Sequence, residues 1–352
     1  MTQRVLLTRG LSNVRDAIDL IHQAMLPGEF HLGATYFTEH TPLRQAADSL
    51  YLEPADKEVE VSIEWLLDLC RTQDFGWIWP QGRWPLLLQA QDRLAATGIR
   101  SILPCPDADT LEVLQDKARA NARLAAAGVS LPRSLPVAAA DEFIAALAEL
   151  ESSAHKVCVK PVQSIYGLGF RLIDDSKRPF DRLLSNDSFT IGRAEFAALL
   201  ETSAGERPFL AMEYLAGDER SIDCLAWHGR LVRAVIRRKP STAHGRWQII
   251  EDDAESWKIA AHAVAEFRLH GLVNVQTRER LHPDGCREQC FLEVNPRMAG
   301  GIDMACQSGL NLPYWLLRLA AGTIEEAQIP WPASGVRVAK IERAVILDGA
   351  SV

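Results

Sequence analysis

The chain has 352 residues, which at about 150 residues per domain predicts two or three domains. Hydrophobic residues make up 47% and charged residues 24%, a composition typical of globular proteins and not of disordered or fibrous ones. The formal net charge of −8 argues against a nucleic-acid-binding protein. No apolar run reaches the roughly 18 residues of a membrane span, and the seven scattered cysteines do not form a disulfide pattern. We therefore expect a cytoplasmic protein with reduced thiols and no membrane partner.

The first hundred residues alternate short apolar runs with amphipathic segments. The runs predicted to be strands are 4–8, 31–37, 75–79 and 99–103. The segments predicted to be helices are 14–25, 62–71 and 86–97. This alternation predicts a parallel sheet, and hence a Rossmann-like domain over residues 1–110. Because no G-x-G-x-x-G follows the first strand, we do not predict dinucleotide binding there.

Beyond residue 110 the pattern divides into two lobes and a tail. Residues 111–208 combine helices and two strands, and the polar stretch 174–192 lacks a clear period, which predicts an exposed insertion or flap. Residues 209–330 are mainly strand runs, with one hairpin turning at His228-Gly229 and a second at Pro283-Asp284-Gly285. Residues 331–352 form the tail.

The segment 291–297 (FLEVNPR) carries the first group of polar residues with a chemical pattern. Strand alternation places Glu293, Asn295 and Arg297 on one face, and Asn274 and Gln276 share a face of the neighbouring strand. Oxygen donors on two adjacent strands suit Mg²⁺, which shares its ligands with substrate phosphates. An arginine beside that ion can hold transferring phosphate oxygens. The alternative interpretation is a solvated hairpin face with an incidental ion pair.

Lys160 ends a predicted strand and precedes Pro161, which favours an extended backbone at the lysine. Gly167 and Gly169 follow in a short loop, where backbone N–H groups can approach a polyphosphate closely. The chain has no P-loop motif, so a surface lysine beside an ordinary turn is the alternative.

Two carboxylates flank the turn Gly217-Asp218 in the segment 212–223 (MEYLAGDERSID). Glu213, at the end of an apolar run, can accept from an adenine amino group, and Glu219 can accept from ribose hydroxyls. The alternative is a polar hairpin tip. The basic run 230–239 raises a similar choice: Arg237 or Lys239 can hold a substrate carboxylate, or the strand is simply a solvated basic edge.

The order of these patterns carries a resemblance. A helix bearing Lys117, then VKP with its glycine loop, then M-E-Y-L-x-G-x-E-x-S-x-D, N-V-Q and L-E-V-N-P-R-x-x-G-G resembles the ATP-grasp superfamily over residues 110–320. The N-terminal domain resembles the pre-ATP-grasp domain. The likeness is closest to the carbamoyl-phosphate-synthase-like branch, and IYGLGFR is similar to ATP-grasp proteins of tellurite-resistance gene clusters. The implied fold is α/β and α+β: a Rossmann-like domain followed by a two-lobed ATP-grasp fold.

The resemblance implies a role for each matching residue. Those implied to bind the nucleotide are the phosphate lysines Lys117 and Lys160, Gly167 and Gly169, the adenine hinge Glu213 and Leu215, and the ribose carboxylate Glu219. Those implied to lie around Mg²⁺ are Gln276, Glu293 and Asn295. Arg297 matches the arginine that stabilises the acyl-phosphate, and Lys160 shares a catalytic role. Because the family's acceptor pocket borders the basic strand, candidate substrate residues are Arg237, Lys239, Gly300 and Gly301.

Two departures from the family pattern bear on the site. Tyr166 and Leu168 stand where many relatives have small or hydroxyl residues, which affects the phosphate grip. Gln276 replaces an aspartate usual in peptide-ligase relatives, which leaves the number of Mg²⁺ ions open.

The implied activity is an ATP- and Mg²⁺-dependent ligation of a small-molecule carboxylate and an amine through an acyl-phosphate, with release of ADP and phosphate. A homodimer fits the family, whose members often dimerise. An ATP-grasp kinase that phosphorylates a hydroxyl is the enzymatic alternative, and a nucleotide-binding regulatory module is the non-enzymatic one. The residues do not identify the carboxylate or the nucleophile.

Overall fold

In the computed structural model, the residues described are 2–10, 13–55, 58–153, 156–164, 167–203, 205–241 and 247–347. Their contacts divide the chain into two compact units. The first comprises Met1–Leu111, Asp218–Thr277 and Val294–Val352, and the second comprises Glu112–Gly217 and Arg278–Glu293. The domain limits at 110, 208 and 330 divide the chain by sequence pattern and stay a prediction.

The N-terminal part of the first unit is built on a parallel five-stranded sheet in the order β3-β2-β1-β4-β5. Its elements are β1 (Gln3–Leu7), α1 (Val14–Ala24), β2 (Phe30–Tyr36), α2 (Leu43–Ala46), β3 (Ser49–Leu52), α3 (Val59–Thr72), β4 (Trp77–Trp79), α4 (Trp84–Gln89), α5 (Gln91–Ala96), β5 (Arg100–Ser101) and α6 (Ala108–Gln115). The predicted Rossmann-like arrangement is confirmed.

Helix α1 shows why this region folds as predicted. Asn13 caps the helix by accepting from the N–H of Asp16. Val14, Ile18 and Ile21 follow at helical spacing and are buried. At the end of β1, a Cβ on Gly10 would lie 1.7 Å from the carbonyl oxygen of Gln81, so only glycine allows the loops after β1 and β4 to approach this closely.

The second unit contains a five-stranded sheet in the order β6-β10-β7-β8-β9, with β7 antiparallel to both β10 and β8. Its elements up to Gly217 are α7 (Lys117–Ala126), β6 (Ser134–Val137), α8 (Ala140–Glu151), β7 (Val157–Pro161), β8 (Arg171–Ile173), α9 (Pro179–Leu184), β9 (Thr190–Ile191), α10 (Arg193–Ser203) and β10 (Phe209–Glu213). Phe143, Leu147, Phe196 and Ala211 lie in its core.

The polar stretch 174–192, predicted to be an exposed insertion or flap, contains two short regular elements that the sequence pattern did not reveal. That stretch carries α9 and β9, and β9 pairs in parallel with β8. The N–H of Leu172 donates to Phe189, and that of Asp174 donates to Ile191. Elements of six and two residues are too short to give the period on which the sequence argument relied.

The remaining strands form a six-stranded sheet in the order β15-β14-β11-β12-β13-β16. The elements are β11 (Glu219–Trp227), β12 (Arg230–Lys239), β13 (Gln248–Glu251), α11 (Ala254–Glu266), β14 (Gly271–Leu281), β15 (Arg287–Asn295), α12 (Ile302–Cys306), α13 (Leu312–Ala320), the 3₁₀ turn Glu326–Gln328 and β16 (Arg337–Val338). The hairpin of β11 and β12 turns at His228-Gly229 as predicted, and both residues have positive φ. No helix in the described ranges is long and apolar enough to cross a membrane.

Candidate active site

Lys117 and Lys160 lie close to the carboxylate of Glu293 within the second unit. Lys117 opens α7 and donates through Nζ to the Ser164 carbonyl at 2.8 Å. Lys160, in β7, donates through Nζ to the carbonyl of Leu292 at 3.3 Å. Burial lowers the pKa of both ammonium groups, while the charge of Glu293 acts in the opposite direction.

The charge around these lysines favours an anion. Both cations lie near the carboxylate of Glu293, Lys117 also lies near Asp116, and the charge of Lys117 disfavours the charged form of Lys160. Lys117 stands in the first turn of α7, where the helix dipole disfavours a cation. A polyanion would offset both penalties, because it pairs with the ammonium groups and with the helix N-terminus.

The glycine loop after β7 adopts the backbone that only glycine adopts readily. Gly167 and Gly169 have φ of 67° and 80°. A Cβ on Gly169 would lie 2.6 Å from Cγ of Pro161, so this residue must be glycine for the loop to pack on the end of β7. Leu168 is exposed between them. Tyr166, the other departure from the family pattern, lies outside the described residues.

The predicted adenine hinge ends β10. Both carboxylate oxygens of Glu213 accept from the guanidinium of Arg280, and Oε2 also accepts from the N–H of Arg133 at 3.3 Å. An adenine amino group would therefore compete with Arg280 for this carboxylate. Leu215, which is implied to read adenine through its backbone, has a buried side chain.

Arg278 and Arg280 are residues that the sequence argument did not single out. Arg278 donates to the carbonyl of Gly217 at 3.1 Å and lies over the ring of Tyr214. The two arginines are two residues apart on β14, and this alternation was the signal available in the sequence.

Asn295 and Arg297 come together in the first unit. Nη2 of Arg297 donates to Oδ1 of Asn295 at 3.4 Å, and Nη1 donates to the carbonyl of Met298 at 3.2 Å. Arg297 is 9% exposed and lines a cavity of about 10 Å³ together with Gln81. Among the residues that the structure describes, Nε2 of Gln81 is the buried side-chain polar atom without a hydrogen-bond partner.

Gln276 is linked to a buried amide network. Its Nε2 donates to Oδ1 of Asn274 at 3.4 Å, which leaves its oxygen as the atom suited to a metal. Asn274 in turn donates to Ser221 at 3.0 Å and to Asp223 at 3.3 Å. No group of three or more His, Cys, Asp or Glu residues able to hold a metal occurs in the described part of the chain.

The two basic residues implied to bind substrate are both paired within the first unit. Arg237 is 2% exposed and donates through Nε to Asp223 at 2.7 Å and through Nη2 to Ser221 at 3.1 Å. A substrate carboxylate would therefore have to displace Asp223 to reach it. Lys239 forms an ion pair with Glu219, the residue implied to bind ribose.

The implied substrate glycines lie at the start of α12. A Cβ on Gly301 would lie 3.0 Å from Nη1 of Arg237, so the glycine lets the backbone rest against this guanidinium. The carbonyl of Gly300 accepts from Nζ of Lys340 at 3.1 Å.

Part of the chain matches a known protein family. Residues 205–344 match the family described as ATP-grasp in the biosynthetic pathway with Ter operon. No curated protein matches the sequence.

Solved structures of low identity share the fold. The L-amino acid ligase from Bacillus licheniformis has a TM-score of 0.63 at 18% identity, over 94% of this chain and 78% of that chain. N5-carboxyaminoimidazole synthetase from Staphylococcus aureus has a TM-score of 0.64 at 13% identity, over 92% and 78%. The biotin carboxylase domain of Hydrogenobacter thermophilus 2-oxoglutarate carboxylase, solved with MgADP, ADP and bicarbonate, has a TM-score of 0.61 at 17% identity, over 92% and 70%.

Proposed function

We propose that the chain is a member of the ATP-grasp superfamily and an ATP- and Mg²⁺-dependent ligase that joins a small-molecule carboxylate to an amine. The observation that carries the proposal is that two lysines, Lys117 at the start of α7 and Lys160 near the end of β7, lie beside the carboxylate of Glu293, with Nζ of Lys160 bonded to the neighbouring Leu292 carbonyl. The solved relatives add support, since they include an amino acid ligase and a carboxylase domain holding MgADP.

The lysines bind the phosphates of ATP in this proposal. The two ammonium groups beside Glu293 match a polyphosphate, and the backbone of the loop with Gly167 and Gly169 can approach it closely. Lys160 is held at the end of β7 by its bond to the Leu292 carbonyl, so its ammonium is already positioned before nucleotide binds.

The residues present fit Mg²⁺. Glu293 and Asn295 lie two residues apart on β15, on one side of the strand, and Gln276 on the neighbouring strand offers an amide oxygen. Mg²⁺ is usually held by one or two carboxylates together with substrate phosphates, which suits a site with a single carboxylate. When bound, the ion neutralises and orients the phosphate oxygens.

The reaction needs no nucleophile from the protein. A substrate carboxylate oxygen attacks the γ-phosphorus of ATP, the bond to the β,γ-bridging oxygen breaks, and ADP leaves. The amine nitrogen of the second substrate then attacks the acyl carbon, and phosphate leaves as the amine loses a proton. Arg297, held by Asn295 and Met298, presents a planar fork of donors that can stabilise charge on the transferring phosphoryl group.

The test is to incubate the full chain with ATP and Mg²⁺ against a panel of amino acids and small acids, to measure phosphate release, and to analyse products by mass spectrometry. We expect ADP, phosphate and a condensed product in equal amounts. Lys160→Met should abolish turnover, whereas the matched change Lys156→Met, at an exposed lysine just before β7, should not. A phosphorylated metabolite as the stable product would instead identify a kinase, and absence of nucleotide binding would overturn the proposal.

A further inference from the structure

A cavity of about 340 Å³ lies at the carboxyl ends of β1 and β2 in the N-terminal sheet. The residues that line it are not among those discussed as the active site. Its lining combines charged groups, among them Arg9, Arg15 and Asp16, with apolar and aromatic ones such as Tyr36 and Leu43. In parallel sheets ligands bind at the carboxyl ends of the strands, and a volume of this size holds a small organic molecule.

The buried carboxylate of Glu53 fixes the side chain of Arg9. The side chain of Glu53 is 3% exposed and accepts from Nε of Arg9 at 3.1 Å, from Arg83 at 2.9 Å and from the hydroxyl of Thr35 at 2.7 Å. Two guanidinium groups thus share one carboxylate and leave one positive charge in excess. The side chain of Arg9 is itself 38% exposed and lines the cavity, so part of its guanidinium is accessible from there.

The second arginine and the start of α1 add to this potential. Arg15 lines the cavity and has a long, partly exposed contact of 3.5 Å with Asp19, one turn further along the helix. Exposed pairs of this kind contribute little, so Arg15 can turn to a ligand at small cost. The first turn of the 11-residue helix α1 forms part of the wall, and helix N-termini favour negative charge.

The one acidic residue of the lining, Asp16, is paired with a lysine that it shares with a second carboxylate. Oδ2 of Asp16 accepts from Nζ of Lys340 at 3.1 Å and from the side-chain amide of Asn13. Nζ of Lys340 also donates to the carbonyl of Gly300 at 3.1 Å and lies 3.4 Å from Asp303. Lys340 therefore connects the cavity wall directly to the glycine pair that follows Arg297.

We infer that this cavity binds the non-reacting anionic group of a substrate. The substrate would be a small acid with a second anionic group, such as a dicarboxylate or an acidic amino acid, with a short apolar stretch against Tyr36 and Leu43. Its remote anion pairs with Arg9 and Arg15, and its reacting end extends along the Lys340 contact toward Gly300. This inference rests on the proposed function, because it assigns a class to the substrate of that reaction. Remote binding of this kind supplies energy that orients the reacting group.

The experiment is calorimetric titration of the full chain with glutarate, L-glutamate, O-phospho-L-serine and L-glutamine, whose side chain lacks the second anionic group, with MgADP titrated separately. We expect at least one anionic probe to bind and L-glutamine to bind about tenfold more weakly or not at all. The relative affinity of the carboxylate and phosphate probes identifies the remote anion. Arg15→Gln should weaken the anionic probe about tenfold and Arg15→Glu should abolish its binding. Arg71→Gln, at an exposed arginine of α3 that is not part of the lining, is the matched control.

The outcomes separate this inference from the proposed function. If MgADP binds and no anionic probe does, or if the probe binds equally to wild type and to Arg15→Gln, the cavity assignment is wrong. If an anionic probe binds in an Arg15-dependent way while MgADP does not bind, the cavity assignment stands as an anion site and the ligase proposal fails.

Discussion

Arg280 and Glu213 form a two-point ion pair in which Nε and Nη2 of the arginine each lie 2.9 Å from a carboxylate oxygen. The same guanidinium donates to Glu288 at 2.6 Å and to the carbonyl of Leu131 at 2.8 Å. The hydrogen bonds to Glu213 raise the pKa of Arg280 against the effect of burial. The end of β10, where the hinge begins, is therefore fixed by side-chain bonds within the second unit.

Arg280→Lys should destabilise the protein, because lysine keeps the charge but cannot bridge both oxygens of Glu213. We expect a loss of about 1 to 3 kcal/mol in the free energy of unfolding, measured by urea denaturation. The matched change Arg287→Lys, at an exposed arginine 3.3 Å from Glu279, should change it by less than about 0.5 kcal/mol. Equal effects of the two variants would contradict the structural role of the Arg280 fork.

Lys160→Met should weaken ATP binding and stabilise the nucleotide-free protein. The lost charge-assisted bonds predict a decrease in affinity of roughly 10- to 100-fold, measured by calorimetry. Burial lowers the pKa of Lys160, which means that the charged form costs stability when no anion is present. The melting temperature without nucleotide should therefore rise. An unchanged ATP affinity would remove Lys160 from the binding site.

Nucleotide binding should take up protons at alkaline pH. The pKa values of Lys117 and Lys160 lie below the ordinary 10.5 because of burial, and a bound polyphosphate favours their charged forms. Titrating ATP at alkaline pH in two buffers of different ionisation enthalpy measures this uptake, which Lys160→Met should reduce. Folding of the nucleotide-free protein, in contrast, releases protons at alkaline pH. The stability of the nucleotide-free protein should rise as pH increases from the folded-state pKa of these lysines toward 10.5, since the cost of burying their charge is then removed.

Glu293→Gln should separate the metal requirement from phosphate binding. Turnover at limiting Mg²⁺ should fall sharply, because the amide is a poorer ligand for a hard cation. ATP binding without Mg²⁺ should hold or tighten, because the carboxylate no longer competes for Lys117 and Lys160. Glu206→Gln, at an exposed loop residue, is the control. Activity near the wild-type level at limiting Mg²⁺ would remove Glu293 from the metal site.

Local sequence signals predicted those parts of the fold that depend on local structure. The spacing of Val14, Ile18 and Ile21 and the His228-Gly229 turn each placed an element within a residue or two. β3 was missed because it is a four-residue edge strand, only half-buried, and so has no alternation to detect.

Pairing between side chains that are distant along the chain could not be predicted from the sequence. Arg237 reads as an exposed basic strand residue, but it is buried against Asp223 across the β11–β12 hairpin. Lys340 and Asp16 are separated by nearly the whole chain, and no local pattern indicates that they meet. Residue chemistry predicted candidate ligands for phosphate and metal, whereas tertiary contacts determine which of those groups already have partners inside the protein.

Substitutions of Arg297 can distinguish a role in ATP binding from a role in catalysis. If its guanidinium stabilises charge that develops on the transferring phosphoryl group, Arg297→Lys should lower kcat far more than it raises the KM for ATP, because energy expressed only in the transition state appears in kcat. Lysine restores the charge but not the planar fork, so the rate should not recover.

The competing role for Arg297 is structural, and the observed contacts make it a serious alternative. The side chain is buried and donates to Met298 and Asn295, so it could simply anchor the end of β15. In that case Arg297→Lys should be nearly silent in kcat, whereas Arg297→Ala should lower the melting temperature together with activity. Measuring kcat, KM and melting temperature for both variants separates the two roles. Full kcat in the Arg297→Lys variant would contradict the catalytic role.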